Sequence, residues 1–349
     1  METVNYMRDV VAWKPFQSDL GVASVRLRSF LPCENLNKIG IRCEFFSLTR
    51  MDSYKLVIFQ KSYTEEDIQL AIKLKDLGVK TVIDICDNHF YNPAGRDDFE
   101  ARAARLKQMI NLVDAVVVPT QELKKVVEPL TGSIFVVDDF IDYEKSSHIA
   151  DLFNRARTIL THYRQIKRLR SRKIIRLVWY GNQGNPALDS GISELVSILP
   201  QLEKLNIDVP LSLTVITNNK GIFQREIQGV TTFPTHFFKW EKGTFPYLFK
   251  EHDICIIPVK VNPFTICKSN NRLVLSLKLG LPVVADLIPS YVEFSDFVLK
   301  PPWVDAIALY ANNIKLRESH VKAGRNYIEK NCTVPKVISQ WKQLIDEVI

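Results

Sequence analysis

The sequence of 349 residues lacks long uncharged apolar runs, and its six cysteines are scattered. Its longest apolar runs, such as residues 115–118, have the length of a strand, whereas a membrane-spanning helix needs about 18 apolar residues. Residues 1–9 lack the basic and apolar regions of a secretory signal, so we expect a cytoplasmic protein. None of the cysteines forms a C-x-x-C pair, which argues against a disulfide framework or a zinc site and favours buried free thiols.

The composition is that of a globular protein with a basic surplus. Hydrophobic residues make up 46% of the chain and charged residues 24%, which excludes a disordered or fibrous protein. The length is too great for one ordinary core and suits two domains of roughly 150–175 residues each. The net charge of +7 favours an anionic partner, namely a nucleotide, a nucleic acid or an acidic lipid surface.

Short apolar runs alternate with amphipathic helical patterns along most of the chain. In the first half, strands are predicted at residues 10–13, 55–59, 81–85, 115–119 and 134–138, and helices at 24–38, 64–77, 97–112 and 120–128. In the second half, strands are predicted at residues 176–181, 212–217, 235–240, 254–259, 282–286 and 298–300. Strands that are apolar throughout and separated by helices indicate parallel sheets covered on both faces. The predicted fold class is therefore α/β, with two domains in series.

The predicted domains join at residues 143–175, where the strand pattern stops. Within this region, residues 155–176 include nine Lys or Arg and no acid. This segment is either a solvated basic helix or a peripheral contact with the inner face of a membrane, because each basic residue near anionic headgroups gains about 1 kcal/mol. Its apolar residues are predicted to share one helical face: Ile159, Leu160, Tyr163, Ile166 and Leu169.

A polar turn with two glycines follows the first predicted strand of the second half. In open parallel sheets, ligands bind beyond the carboxyl ends of the strands, which is where the turn GNQGNP (181–186) lies. Glycine lets a backbone approach a ligand closely, and a helix start presents free N–H groups to phosphate. The turn matches neither the G-x-G-x-x-G pattern nor a P-loop, so dehydrogenases and P-loop kinases lack their usual motif here.

The segment KSNNRLVLSLKLGLPVVADLIPSYVEF (268–294) carries the most information. Its pattern predicts a helix that ends at Gly280 and is followed by Pro282, with Lys268 and Arg272 one turn apart at its start. Cations at a helix N-terminus oppose the helix dipole, and an anionic ligand would offset that penalty. The alternative is an ordinary helix with exposed basic residues.

Two further groups follow predicted strands. Residues 81–93 place Asp87 and His89 after a strand, where either could take a proton from the hydroxyl group of a ligand. The alternative is a turn in which Asp and Asn side chains close the strand. Trp240 and Glu241 follow another strand, where they could contact a nucleotide base and ribose or simply pack against the core.

The 268–294 segment resembles the donor-binding segment of GT-B glycosyltransferases, in particular the retaining, family 4-like group that uses nucleotide-activated sugars. Other segments agree in order. GVASVRLR (21–28) is similar to the group's first glycine loop, and VWYGNQGNP (178–186) to the opening of its C-terminal domain. Residues 236–259 resemble the strand, helix and strand before the donor helix, and residues 327–345 resemble the closing helices. The resemblance covers nearly the whole chain.

The resemblance implies two Rossmann-like parallel-sheet domains that face each other across a cleft. Its expected parts are an acceptor domain (1–150), a basic linker (151–175), a donor domain (176–325) and C-terminal helices that pack towards the N-terminal domain (326–349). It implies metal-independent transfer of a sugar from a nucleotide donor to a glycan or lipid-linked acceptor. The residues expected at the donor phosphates are Lys268, Arg272, Asn271, Ser269, Gly184, Asn182 and Gly21. No cofactor and no nucleic acid are expected, and the nucleotide is not identified.

The sequence departs from the group's pattern at one pair of positions. Many retaining members carry two glutamates eight positions apart, and Cys267 and Leu275 stand at those positions here. A divergent transferase and a non-catalytic nucleotide-binding relative therefore remain open. A sugar-nucleotide epimerase remains open as well, because that class of enzyme shares the two-domain plan. A nucleic-acid binder is less well supported, because the basic segment has no interleaved aromatic residue apart from Tyr163.

Overall fold

A computed structural model describes residues 10–141, 148–170 and 174–349, apart from the side chains of residues 148, 149, 168 and 169. The N-terminal residues on which the signal prediction rests (1–9), part of the predicted domain join (142–147) and part of the basic segment (171–173) lie outside the described residues. The chain divides into two compact units. The first unit comprises Met1–Asp142, Ile266–Ser269 and Cys332–Ile349, and the second comprises Tyr143–Thr265 and Asn270–Asn331.

The first unit is built on a six-stranded parallel sheet with the order β2-β1-β3-β4-β5-β6. Its strands are β1 (Val10–Pro15), β2 (Cys43–Phe45), β3 (Tyr54–Gln60), β4 (Lys80–Asp84), β5 (Ala115–Val118) and β6 (Ile134–Val136). The five strands predicted in this half are confirmed. The sequence did not predict β2, because three residues at the edge of a sheet leave no periodic pattern to detect.

Both faces of this sheet are covered, as its continuous apolar strands require. The helices are α1 (Ala23–Val25), α2 (Leu31–Lys38), α3 (Glu65–Asp76), α4 (Asp97–Leu112), α5 (Gln121–Val127) and α13 (Val334–Val348), with a π-helical turn at Arg26–Phe30. Along β3, Leu56 and Ile58 enter one core cluster and Val57 and Phe59 enter the other, because successive side chains of a strand point to opposite faces. α13 contributes Trp341 to the first of these clusters.

The second unit is built on a five-stranded parallel sheet with the order β11-β10-β7-β8-β9. Its strands are β7 (Ile175–Tyr180), β8 (Leu211–Thr217), β9 (Thr235–Lys239), β10 (Ile254–Ile257) and β11 (Val283–Ala285). These confirm five of the six strands predicted in this half. The predicted strand at 298–300 is wrong, because only a single bridge joins Leu299 to Val284.

Seven helices cover this sheet or flank it within the described part of the second unit. They are α6 (His148–Arg170), α7 (Ile192–Asp208), α8 (Lys220–Phe223), α9 (Phe245–Phe249), α10 (Asn271–Leu279), α11 (Trp303–Asn312) and α12 (Ile314–Asn331). α10 ends at Gly280, whose φ of +100° gives the left-handed C-cap that the sequence predicted. Among the residues that the structure describes, no helix is long and apolar enough to cross a bilayer.

The helix α6 carries the basic segment and is fixed to the second unit along one face. On that face Thr158 and Ile166 are buried, and Asp151 accepts a hydrogen bond of 2.6 Å from the Tyr247 hydroxyl. The prediction that the apolar residues of this segment share one face is wrong. Leu160 and Tyr163 are 79% and 56% exposed, because the five predicted positions spread over about half of the helix circumference, which is wider than the face that packs against the second unit.

Candidate functional site

Strand order alone marks one position in each sheet where a ligand is expected. β7 lies between β8 and β10, so the connections that leave the carboxyl ends of β7 and β10 run to opposite sides. β1 and β3 stand in the same relation in the first unit. Ligands of open parallel sheets bind outside the carboxyl ends at such points.

In the second unit, a tightly folded glycine turn occupies this position after β7. Gly184 and Gly191 have φ values of +74° and +80°, a region that other residues rarely adopt. A Cβ on Gly184 would lie 2.0 Å from the Ser190 carbonyl oxygen, and one on Gly191 would lie 2.5 Å from the Gly184 Cα. Only glycine fits either position. Asn182 is exposed in the same turn, and α7 begins immediately after Gly191.

Arg272 lies beside this turn, as the second residue of α10. Its Nη1 lies 3.4 Å from the Tyr180 carbonyl oxygen, and its Nη2 lies 3.8 Å from Oε2 of Glu194. The buried Glu194 also accepts a hydrogen bond of 2.9 Å from the Gly191 backbone N–H, so one carboxylate contacts both the turn and the arginine. The Arg272 side chain keeps 24% of its surface exposed. A fixed guanidinium therefore adjoins a glycine turn at the expected ligand position.

The predicted placement of Lys268 and Arg272 on one helical turn is wrong. α10 begins at Asn271, so Lys268 precedes the helix by three residues, and Asn270 is the N-cap. The segment 266–269 is held in the first unit instead, where the Cys267 side chain is buried and its carbonyl oxygen accepts a hydrogen bond of 2.9 Å from the Thr120 hydroxyl.

Trp240 reaches the neighbourhood of Arg272 through a chain of aromatic rings. The Trp240 ring lies 6.3 Å from that of Phe245, which lies 4.9 Å from Tyr180. The Tyr180 hydroxyl donates a hydrogen bond of 2.8 Å to the Arg272 carbonyl oxygen. Glu241 accepts through its backbone oxygen at the start of α9, from Phe245 N–H at 2.8 Å, and its side chain is exposed.

In the first unit, charged residues gather beyond the carboxyl ends of β3 and β4. The Asp87 carboxylate lies 2.8 Å from Lys61 Nζ through one oxygen and 3.3 Å from Lys268 Nζ through the other. The neighbouring Ser269 hydroxyl donates a hydrogen bond of 2.6 Å to Asp139. Although burial favours the neutral form, Lys61 and Lys268 hold the pKa of Asp87 well below its usual value. Asp87 is therefore a carboxylate at neutral pH.

His89 is a neutral imidazole in this cluster. Its Nδ1 shares a hydrogen bond with the Tyr63 hydroxyl, and its Nε2 lies 3.9 Å from Asp87. Burial, followed by the charge of Lys61, lowers the pKa of His89 to about 3. Both residues proposed as proton acceptors from the sequence therefore lie together, but the surrounding cations reduce the basicity of each.

The two other residues predicted at the donor phosphates, Gly21 and Asn271, lie near the starts of helices. Gly21 is exposed before α1, and its N–H donates a hydrogen bond of 2.7 Å to Asp19. Asn271 is the first residue of α10 and is half-buried. Sequence reasoning missed Lys61 and Glu194. An acid in the first turn of a helix complements the helix dipole, and that position would have indicated Glu194. No sequence pattern would have indicated Lys61.

No family model and no curated protein matches this sequence. Solved structures do match, and they show that the chain has the two-domain α/β fold of GT-B glycosyltransferases. A glycosyltransferase from Rickettsia africae matches with a TM-score of 0.64 at 13% identity, over 97% of this chain and 98% of that chain. An α,α-trehalose 6-phosphate synthase from Burkholderia multivorans matches with a TM-score of 0.56 at 13% identity, over 84% of this chain and 72% of the synthase chain.

TarM, a third match, is a longer protein. Its TM-score is 0.58 at 11% identity, and 84% of this chain is covered against 55% of the TarM chain. The chain described here thus spans about half of TarM. A TarM variant from S. aureus was crystallised with UDP, and the trehalose-6-phosphate enzyme of E. coli was crystallised with UDP-2-fluoro glucose.

Proposed function

We propose that this protein transfers a sugar from a nucleotide-activated donor to a glycan or lipid-linked acceptor, without a metal ion. The observation that carries the proposal is the position of Arg272 beside the Gly184–Gly191 turn, between β7 and β10, where a ligand of the second sheet is expected. Backbone N–H groups of a tight turn and a fixed guanidinium together suit a diphosphate. The UDP ligands of two structural neighbours support the same class of donor.

Each unit has a part in the proposed reaction. Arg272 binds the diphosphate, whose charge grows as the glycosidic bond breaks, so a fixed cation stabilises the leaving group. Asn182 and Asn271 add polar contacts, and Trp240 and Glu241 take the base and ribose. Lys268 and Ser269 belong to the first unit, where Asp87 and His89 face the acceptor hydroxyl in this proposal.

The direct test incubates the protein with UDP-, GDP-, CMP-, TDP- and ADP-sugars and follows the release of free nucleotide, in EDTA and with candidate acceptors. We expect one nucleotide to raise the unfolding temperature, since a 100-fold excess over Kd stabilises a protein by about 2.7 kcal/mol. We also expect its sugar to move to an acceptor, and the anomeric configuration of the product shows whether transfer is retaining.

Other outcomes of this test identify the alternatives. Protection by a nucleotide without consumption of any sugar indicates a non-catalytic binding protein, the possibility raised by Cys267 and Leu275. An altered sugar that stays attached to its nucleotide indicates an epimerase. Activity that disappears in EDTA and returns with a divalent cation contradicts the metal-independent part of the proposal.

We also propose that α6 contacts an anionic membrane surface. Its outward side carries four large apolar residues, of which Phe153 and Leu160 are 68% and 79% exposed and Leu152 and Tyr163 are 51% and 56% exposed. Exposed basic residues stand among them: Arg155, Arg157, Arg164 and Lys167. Apolar residues flanked by cations along one helix suit the boundary between headgroups and acyl chains.

Vesicle binding tests this contact. Wild-type protein should sediment with vesicles that contain a quarter phosphatidylglycerol and not with pure phosphatidylcholine, and high salt should weaken the binding. Replacing Arg157, Arg164 and Lys167 with glutamine should lower the partition coefficient by about 100-fold, because each basic residue contributes about 1 kcal/mol. Replacing Phe153 and Leu160 with serine should weaken binding as well.

Ile207, which is 81% exposed on α7, provides the matched control. Ile207→Ser removes an equally exposed apolar residue of the same unit and should leave vesicle binding unchanged. Equal binding to neutral and anionic vesicles, or variants of α6 that bind as the wild type does, would contradict the proposal. Self-association that the α6 variants abolish would assign the helix to a protein interface instead.

A further inference from the structure

The cluster beyond β3 and β4 contains more positive than negative charge. Lys61 and Lys268 both pair with the single carboxylate of Asp87. A third cation, Arg102 of α4, stacks its guanidinium over the Phe99 ring at 4.4 Å. Its buried Nε and Nη2 have no hydrogen-bond partner within residues 10–141, 148–170 and 174–349. Two cations therefore share the Asp87 carboxylate, and the charge of Arg102 acts on the neighbouring Tyr63 and His89.

The other titratable groups of the cluster do not cancel this surplus. His89 and Tyr63 feel the charge of Arg102, and both are neutral at pH 7, since burial raises the pKa of Tyr63 to about 12 and lowers that of His89 to about 3. The adjacent buried network of Arg28 with Asp84 and Asp139 would add one negative charge with both carboxylates ionised. The three cations and Asp87 together carry a net charge of +2. Including the Arg28 network lowers that net charge to +1.

Part of the cluster is exposed to solvent. The Lys61 and Lys268 side chains are 17% and 33% exposed. Phe16, which follows β1, lies 5.4 Å from Lys61 Nζ and is 42% exposed. Lys61 itself has a φ of +52°, which a residue with a side chain adopts only at a cost of about 1 kcal/mol. An unfavourable backbone conformation thus holds Lys61 beside Asp87, near the position between β1 and β3 where a ligand of the first sheet is expected.

We propose that this cluster binds an anionic oxygen group of the acceptor, with a phosphate favoured over a carboxylate. Lys61, Arg102 and Lys268 supply the positive charge, and a phosphate dianion balances the surplus more fully than a carboxylate does. Phe16 offers an apolar surface to the part of the acceptor next to the charge. The assignment of the ligand as an acceptor rests on the proposed function, whereas the anion site itself does not.

Calorimetric titration with methyl phosphate, acetate and methanol tests the site. The protein carries Arg272→Met in all titrations, so that the proposed donor site does not contribute. We expect methyl phosphate to bind, acetate to bind more weakly and methanol not to bind. Lys61→Gln and Arg102→Gln should each weaken methyl phosphate binding by about 10-fold or more, because a charge-assisted hydrogen bond contributes about 1.5–3 kcal/mol. Lys61→Arg should restore part of the affinity.

Lys80→Gln is the matched control, because Lys80 also pairs with an aspartate but begins β4 at the opposite edge of the same sheet. It should bind methyl phosphate as the parent does. Absence of binding, or equal affinity in the parent and in both Lys61→Gln and Arg102→Gln, would overturn the proposal. Stronger binding of acetate would reassign the site to carboxylates. Phosphate binding together with failure of every sugar transfer would leave the anion site standing and reject the transferase.

Discussion

Replacing Arg272 with methionine is expected to weaken nucleoside diphosphate binding by about 30- to 150-fold. The guanidinium is held by Tyr180 and Glu194 next to the glycine turn, so little conformational freedom is lost when it binds phosphate. Loss of a charged hydrogen-bond partner costs about 2–3 kcal/mol, which gives that range. The affinity of Arg272→Lys should lie between those of the wild type and Arg272→Met, because lysine keeps the positive charge but lacks the planar guanidinium. Isothermal titration measures each Kd.

Arg176 offers a matched control for this experiment. It is the second residue of β7, at the amino end of the strand and away from the glycine turn. It pairs with Asp253 at 2.8 Å, so Arg176→Met also removes an ion-paired arginine. We expect its Kd to stay within about twofold of the wild type. Far-UV circular dichroism at the titration temperature shows whether Arg272→Met remains folded once Glu194 has lost its cation. A folded Arg272→Met protein with unchanged affinity would remove the main support for the proposed donor site.

The second large effect is expected from Arg28, which lies in the buried interior of the first unit. Its Nη2 lies 2.6 Å from Asp84, and its Nη1 lies 3.2 Å from Asp139, with the Arg28 and Asp84 side chains 1% and 0% exposed. Arg28→Met leaves both carboxylates without this cation, and the Asp84 carboxylate is fully buried. We expect the free energy of unfolding of the first unit to fall by about 3–5 kcal/mol, measured in urea through Trp13 and Trp341.

Two further variants make this result specific. Asp84→Asn combined with Arg28→Met should cost less than the sum of the single changes, because the two residues interact directly. Arg50→Met breaks an ion pair of similar length with Glu44, 2.7 Å, but on the surface, and should cost less than about 1 kcal/mol. A loss in Arg28→Met no greater than in Arg50→Met would mean that the buried pair contributes nothing beyond a surface pair.

The elements and the fold class followed from local patterns. A run such as residues 115–118 is apolar throughout because both faces of its sheet are covered, and that signal needs no knowledge of distant residues. The helix boundaries were equally local, since Thr64 caps α3 and Gly280 ends α10. The edge strand β2 escaped prediction, because three residues have no period of their own. Residues 298–300 were predicted as a strand for the same reason, because so short an apolar run does not distinguish a strand from the single bridge at Leu299.

The composition of the charged clusters could not be predicted in the same way. Lys61 and Asp87 are 26 positions apart, and Arg28 and Asp139 are 111 positions apart. Such pairs meet because parallel strands bring their carboxyl ends to one edge, and which side chains arrive there depends on register and loop conformation. The sequence indicated Asp87, His89 and Lys268, but it did not indicate that Lys268 pairs with Asp87, and no pattern indicated Lys61.

What the sequence determined by itself was the periodic structure: two parallel sheets, their helices and the turns that carry glycine. Tertiary structure decided where the charges lie. Lys268 and Arg272 stand four positions apart, yet Lys268 pairs with Asp87 in the first unit and Arg272 contacts Glu194 in the second. Periodicity depends on neighbours along the chain, whereas an ion pair depends on groups that only the folded backbone brings within reach.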